Sequence, residues 1–111
     1  MIILPTINRS VLIIIPKQPF YDWSNALFPD IEQTTVADVD EQNSYLLEDE
    51  LFIDNPKKEL KTYWKDIFLN ELYGQCMDEE TFPALSWELF TKWFDFYRSS
   101  VVSDLTNDPL Y

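Results

Sequence analysis

A small α+β fold, a three-stranded sheet packed with helices, is what this sequence predicts, on three observations. Val11-Leu12-Ile13-Ile14-Ile15 is an unbroken apolar row dominated by β-branched residues, the pattern of a strand covered on both faces. Two later segments carry helix-opening chemistry, Asn55 before Pro56 and Ser86 before Trp87. The chain is 46% hydrophobic and 16% aromatic with a single Gly, whereas disordered chains are poor in aromatic and branched aliphatic residues. Strands and helices in this mixed order form an α+β layer structure.

Taken along the chain, residues 10–15 are the expected central strand, stopped by Pro16. Pro19 at a first helical position opens a helix over 19–28 through Phe20, Trp23, Ala26 and Leu27, closed by Pro29. Thr34 or Thr35 caps a brief turn around Val36–Val39, with Asp38 near its start. Residues 44–48 form a second strand, ended by the acidic run Glu48-Asp49-Glu50. Asp54-Asn55-Pro56 starts a long helix over 56–73, with Gly74 placed as its left-handed stop. Beyond Asp78-Glu79-Glu80 and Pro83, Ser86 caps a last helix over 87–96. Residues 99–105 are more polar and are expected as a third strand at a sheet edge. No internal repeat or low-complexity stretch is visible.

At 111 residues the chain is expected to be one domain, 1–111, with residues 1–8 as an N-terminal tail. The start lacks the charge-then-apolar order of a secretory signal, and the run Val11–Ile15 is far shorter than the ~20 residues a membrane span needs. One cysteine, Cys76, forbids an internal disulfide. These features point to a soluble, cytoplasmic chain.

The formal net charge is −12, from 20 acidic and 8 basic residues. Such a surface repels phosphate backbones and anionic lipids, so direct nucleic-acid binding and membrane association are not expected. It attracts basic proteins and is able to imitate the charge of nucleic acid, while plain solubility is the simpler role for it.

The segment Arg9-Ser10-Val11-Leu12-Ile13-Ile14-Ile15-Pro16-Lys17-Gln18-Pro19-Phe20-Tyr21-Asp22-Trp23 resembles the opening of a group of small acidic bacterial proteins of uncharacterised function. In that group an apolar strand is followed by Pro-Lys-Gln-Pro and an aromatic-rich turn of helix. A tyrosine-bearing second strand, an acidic third segment and a Trp-Phe-containing helix before the last strand are similar too, so the resemblance covers residues 9–105. It implies a bacterial cytoplasmic protein, and brings no activity and no site residues.

The chemistry open to the chain is narrow. Without His there is no ordinary neutral-pH base and no imidazole metal ligand, and one Cys builds no thiolate zinc site. One Gly leaves no phosphate-cradling loop and no dinucleotide fingerprint. No cofactor, no metal and no catalytic residue is therefore assigned. What survives is carboxylate chemistry: a pair of Asp/Glu for glycoside-type hydrolysis, or an oxygen-only cation site. Glu48-Asp49-Glu50 with Asp54, and Asp78-Glu79-Glu80, lack calcium-loop spacing and read as solvated loops. Cys76 has nothing basic beside it and reads as a buried filler.

Two features stand out. On the long helix, Leu60, Tyr63, Trp64, Ile67 and Phe68 share an apolar face, and Glu71 projects from its middle. In the last turn it either escapes to water or lies partly buried with a raised pKa, facing Arg98, as the candidate functional carboxylate. Beside that face Lys57, Lys61 and Lys65 step along one flank with Lys58, at a helix start where lysine opposes the macrodipole. The acidic stretch 48–54 is the expected compensation, and a small anion site the alternative. On the last helix, Trp87, Leu89, Phe90, Trp93, Phe94, Phe96 and Tyr97 spread over half the helical circle, wider than a single packing stripe. Trp87, Leu89 and Phe96 at its margins either pack within the molecule or form an apolar patch of the kind that binds a protein.

The function expected from these residues is a non-enzymatic protein–protein interaction module, binding a protein partner or itself through Trp87, Leu89 and Phe96. A small enzyme or ligand-binding protein built on Glu71 is the alternative of a different class, and a nucleic-acid mimic blocking a DNA-binding protein is the third.

Overall fold

The branched aliphatic row does form the middle of the sheet. In a computed structural model that describes residues 9–39, 42–48 and 56–99, strand β1 (Arg9–Pro16) lies between β2 (Ser44–Glu48) and β3 (Phe94–Ser99). Both neighbours run antiparallel to it, with Leu12 opposite Tyr45 on one side and Arg98 on the other. Side chains alternate across the sheet, so Ser10, Leu12 and Ile14 share one face with Leu47 and Phe94, and all five are buried. The other face carries half-buried Val11, Ile13 and Ile15 between exposed Leu46 and Tyr97. The expected covering of both faces of β1 is therefore complete only on the first.

Helices α1 (Gln18–Leu27), α2 (Pro56–Tyr73) and α3 (Trp87–Trp93) contribute the rest of that buried layer. Pro19 sits in the first turn of α1, where a missing N–H costs nothing. In α2 the buried positions Leu60, Ile67, Phe68, Glu71 and Leu72 recur at helical spacing, while Tyr63 is turned out to solvent. Ser86 caps α3 as its position predicts, its Oγ accepting from the Leu89 N–H at 3.0 Å. Thr35, the second of the two expected caps, opens the short turn Val36–Asp38, with the Asp38 carboxylate accepting from both its N–H and its hydroxyl.

Phe94 is the meeting point of the core. Its ring centroid lies 5.2 Å from Phe20, 5.3 Å from Phe68 and 5.2 Å from Phe90, joining all three helices to β3. Trp23 and Trp93 extend the cluster, and the Trp23 indole N–H is satisfied by the Thr81 carbonyl at 3.0 Å.

Two boundaries differ from expectation. The helix expected over 87–96 ends at Trp93, and the strand expected over 99–105 begins at Phe94; only Ser99 of that span lies within the described residues. Helical periodicity in the row of aromatics conceals a period of two: Phe94 is buried, Asp95 exposed, Phe96 half-buried and Tyr97 exposed. The free edge of β1 supplies the hydrogen-bond partners, and aromatic residues suit the pleated surface, so tertiary pairing overrides the helical reading. The second correction concerns Gly74, which follows α2 without a left-handed conformation. A Cβ there would stand 3.3 Å from the Glu71 carbonyl oxygen, a contact tighter than most.

The proposed tail 1–8, the acidic stretch 49–54 with its capping residues, and residues 100–105 lie outside the described residues. No helix among the described residues is long and apolar enough to cross a membrane.

Candidate functional site

Helical geometry aims Glu71 inward. It stands four residues after Ile67 and three after Phe68, within the buried stripe, and is 5% exposed. Of the two readings open to it, burial is the one that holds. Asn43 Nδ2 donates to Oε2 at 2.6 Å, and the Tyr45 hydroxyl, which accepts from Asn70 Nδ2 at 2.9 Å, also hydrogen-bonds the carboxyl. The second oxygen, Oε1, is buried and has no hydrogen-bond partner. A buried polar atom without a partner is rare and costs about 1–3 kcal/mol.

Glu71 lines a cavity of about 610 Å³. Its floor is made by Phe20, Tyr21 and Glu71, and its rim by the exposed residues Gln42, Asn43, Ser44 and Gln75, with Pro16, Thr34 and Val39 completing the wall. Each wall is tied down. The Ile14 N–H donates to the Asn43 carbonyl at 3.0 Å, fixing the entry to β2 against the central strand. Asn25 clamps Thr34 in both directions, Nδ2 to its carbonyl at 2.8 Å and Oδ1 from its N–H at 2.9 Å. Ser24 Oγ donates to Gln75 Oε1 at 2.9 Å, holding the segment after α2 to α1. The cavity thus sits where β1, α1, the loop before β2 and the end of α2 converge.

The electrostatics are those of a carboxyl removed from water. Burial raises the Glu71 pKa above the ordinary carboxylate value, opposed in part by the hydrogen bonds from Asn43 and Tyr45. Burial, then the nearby Glu71 charge, raises Tyr21 as well. Tyr45 is pushed up to about 12, first by its burial and then by Glu71, against the lowering effect of Asn70. Among the described lining residues there is no Lys or Arg, and Glu71 is the one acidic residue. The described lining residues therefore form no two-carboxylate hydrolytic pair. Among the described residues no cluster of three or more His, Cys, Asp or Glu side chains is placed to hold a metal ion. The chemistry within reach is anchoring: one carboxyl group, amide and hydroxyl groups at the rim, and aromatic surface beneath.

Arg98, expected to face Glu71, donates instead to Ser10 Oγ at 3.2 Å, which satisfies a hydroxyl that is wholly buried. Trp87, Leu89 and Phe96 are half-buried and pack against the core, Phe96 from strand β3 and not from a helix margin. Trp87 lies 5.9 Å from the Phe90 ring, and the Lys61 ammonium stands 5.5 Å over it, so one lysine of the flank has an aromatic neighbour. Asp78, Glu79 and Glu80 form an exposed turn in which Asp78 Oδ1 accepts from the Glu80 N–H. Cys76 is half-buried, 3.7 Å from Thr81 Oγ1.

Sequence reasoning singled out Glu71 but not the residues around it. Tyr21 and Tyr45 look like ordinary core aromatics, and Asn43 lies in the polar run Asp40-Glu41-Gln42-Asn43-Ser44, which has no periodicity to mark one member. Comparisons with protein-family models, curated proteins and solved structures each find no match for this chain.

Proposed function

We propose that this protein is a non-catalytic binding protein whose site is the Glu71 cavity, holding a small polar organic molecule by hydrogen bonding to the carboxyl at its floor. One observation carries the reading: Glu71, a side chain 5% exposed with one buried carboxyl oxygen unpartnered, is among the residues lining a 610 Å³ cavity. Sites for small ligands are concave and a few hundred Å³ in size, and the polar groups of this lining suit a polar molecule. Among the described lining residues no second carboxyl group accompanies Glu71, which favours binding over turnover.

The test is a fragment screen read by NMR. Hits should perturb the Tyr21, Asn43 and Gln75 resonances, and Val39→Trp, which fills the cavity, should abolish them. Perturbations confined to other parts of the molecule, or none, would remove the basis of this reading.

Protein–protein interaction remains a second reading, now favoured by a different surface. Leu46 and Tyr97, 55% and 70% exposed, flank Val11 and Ile13 on the sheet face turned away from the helices. Large apolar side chains gathered on one face are the usual material of an interface. Light scattering at rising concentration should show self-association that a Leu46→Asp, Tyr97→Asp double variant loses. A monomer at all concentrations excludes self-recognition through this face.

A further inference from the structure

The described lining of the cavity has one acidic side chain and no basic one, so its preference among ligands is an electrostatic question. Resting on the cavity reading above, we infer that the ligand class is a small organic ammonium ion, with the Glu71 carboxylate as its counter-ion. Three independent features support this. Glu71 Oε1 is buried without a hydrogen bond, while Oε2 accepts from Asn43, so the carboxyl is held by one oxygen and short of one donor at the other. An ammonium group offers three N–H donors and no acceptor, which suits a floor whose missing element is a donor. Gln75 and Thr34, also in the lining, carry amide or hydroxyl oxygens able to take the remaining N–H groups.

The rings are the second feature. Phe20 and Tyr21 form the aromatic part of the lining, and aromatic faces attract cations in desolvated sites. The third is the whole-molecule field. A formal net charge of −12 raises the local concentration of cations and lowers that of anions, so the long-range field and the local counter-ion select the same sign of ligand. An anion entering the cavity would oppose both.

The experiment uses three probes of one skeleton and different charge: benzylamine, benzyl alcohol and benzoate, titrated into the full chain by calorimetry, with NMR locating each. Benzylamine should bind at least tenfold more tightly than benzyl alcohol, with shifts at Tyr21 and Asn43, and benzoate should not bind. Glu71→Gln should erase that tenfold preference. Gln42→Lys, an exposed rim substitution that leaves the core untouched, should weaken benzylamine at least tenfold and keep the protein folded by circular dichroism. Equal affinity for benzylamine and benzyl alcohol, or a preference for benzoate, overturns the ammonium assignment and leaves the cavity as a binding site. Silence of all three probes at the cavity, together with no fragment there, overturns both.

Discussion

The Phe94 hub and the Glu71 cavity both lie against the same layer of the molecule, yet they are built on opposite principles. At the hub every ring has ring neighbours, with centroid separations of 5.2–5.3 Å to three helices, and none of the described side chains there leaves a buried polar atom unpartnered. At the cavity the elements converge without filling the space, and one buried carboxyl oxygen is left over. The difference separates two tasks. Dense aromatic packing supplies stability, and the stability it supplies tolerates an unsatisfied acid a short distance along α2, from Phe68 in the hub to Glu71 in the cavity.

Breaking the hub should have the largest effect. Phe94→Ala removes a fully packed ring and should cost about 3–5 kcal/mol in denaturant unfolding, a large part of a small domain's stability. A loss under 1 kcal/mol would mean that Phe94 is not the keystone the ring geometry describes.

The cavity should respond in the opposite direction. Glu71→Gln keeps the shape and removes the charge whose burial is unfavourable, so at pH 7 it should stabilise the unliganded protein. The sign follows from linkage: folded Glu71 holds its proton to higher pH than the unfolded chain does. Wild-type stability from this group is therefore greatest below the ordinary value of 4.5 and falls as pH rises through the window up to its raised folded pKa. The advantage of Glu71→Gln should accordingly shrink as pH is lowered toward 4.5. A gap independent of pH would show that Glu71 titrates normally.

Two smaller substitutions sharpen the boundary between the regions. Ser86→Ala removes the cap of α3, which delivers Phe90 and Trp93 to the hub, and should cost about 1 kcal/mol while leaving ligand shifts at Tyr21 and Asn43 unchanged. Any change at the cavity would reveal coupling between the two. Lys61→Met deletes the ammonium over Trp87 and should cost about 0.5 kcal/mol, measured in a cycle with Trp87→Leu. Additive effects in that cycle would assign the contact no energy.

Much of this was legible in residue order alone. An uninterrupted aliphatic row from Val11 to Ile15 identifies the strand with most neighbours, and local capping chemistry at Pro19, Thr35 and Ser86 marks where helical turns begin. A carboxyl among Ile67, Phe68 and Leu72 is conspicuous by periodicity alone, because helical spacing is a local property.

The rest depends on groups distant in the chain. Phe94-Asp95-Phe96-Tyr97 satisfies both a helical and an alternating pattern, and only the unfilled edge of β1 resolves it in favour of a strand. Whether Glu71 met Arg98, water or nothing was likewise undecidable from spacing, since Asn43 and Tyr45 reach it across 28 and 26 residues and Arg98 is engaged by Ser10. Local periodicity determines which side chains leave the backbone on one side. Tertiary packing alone decides which of them find partners, because burial and hydrogen-bond satisfaction are properties of the assembled space and not of any one segment.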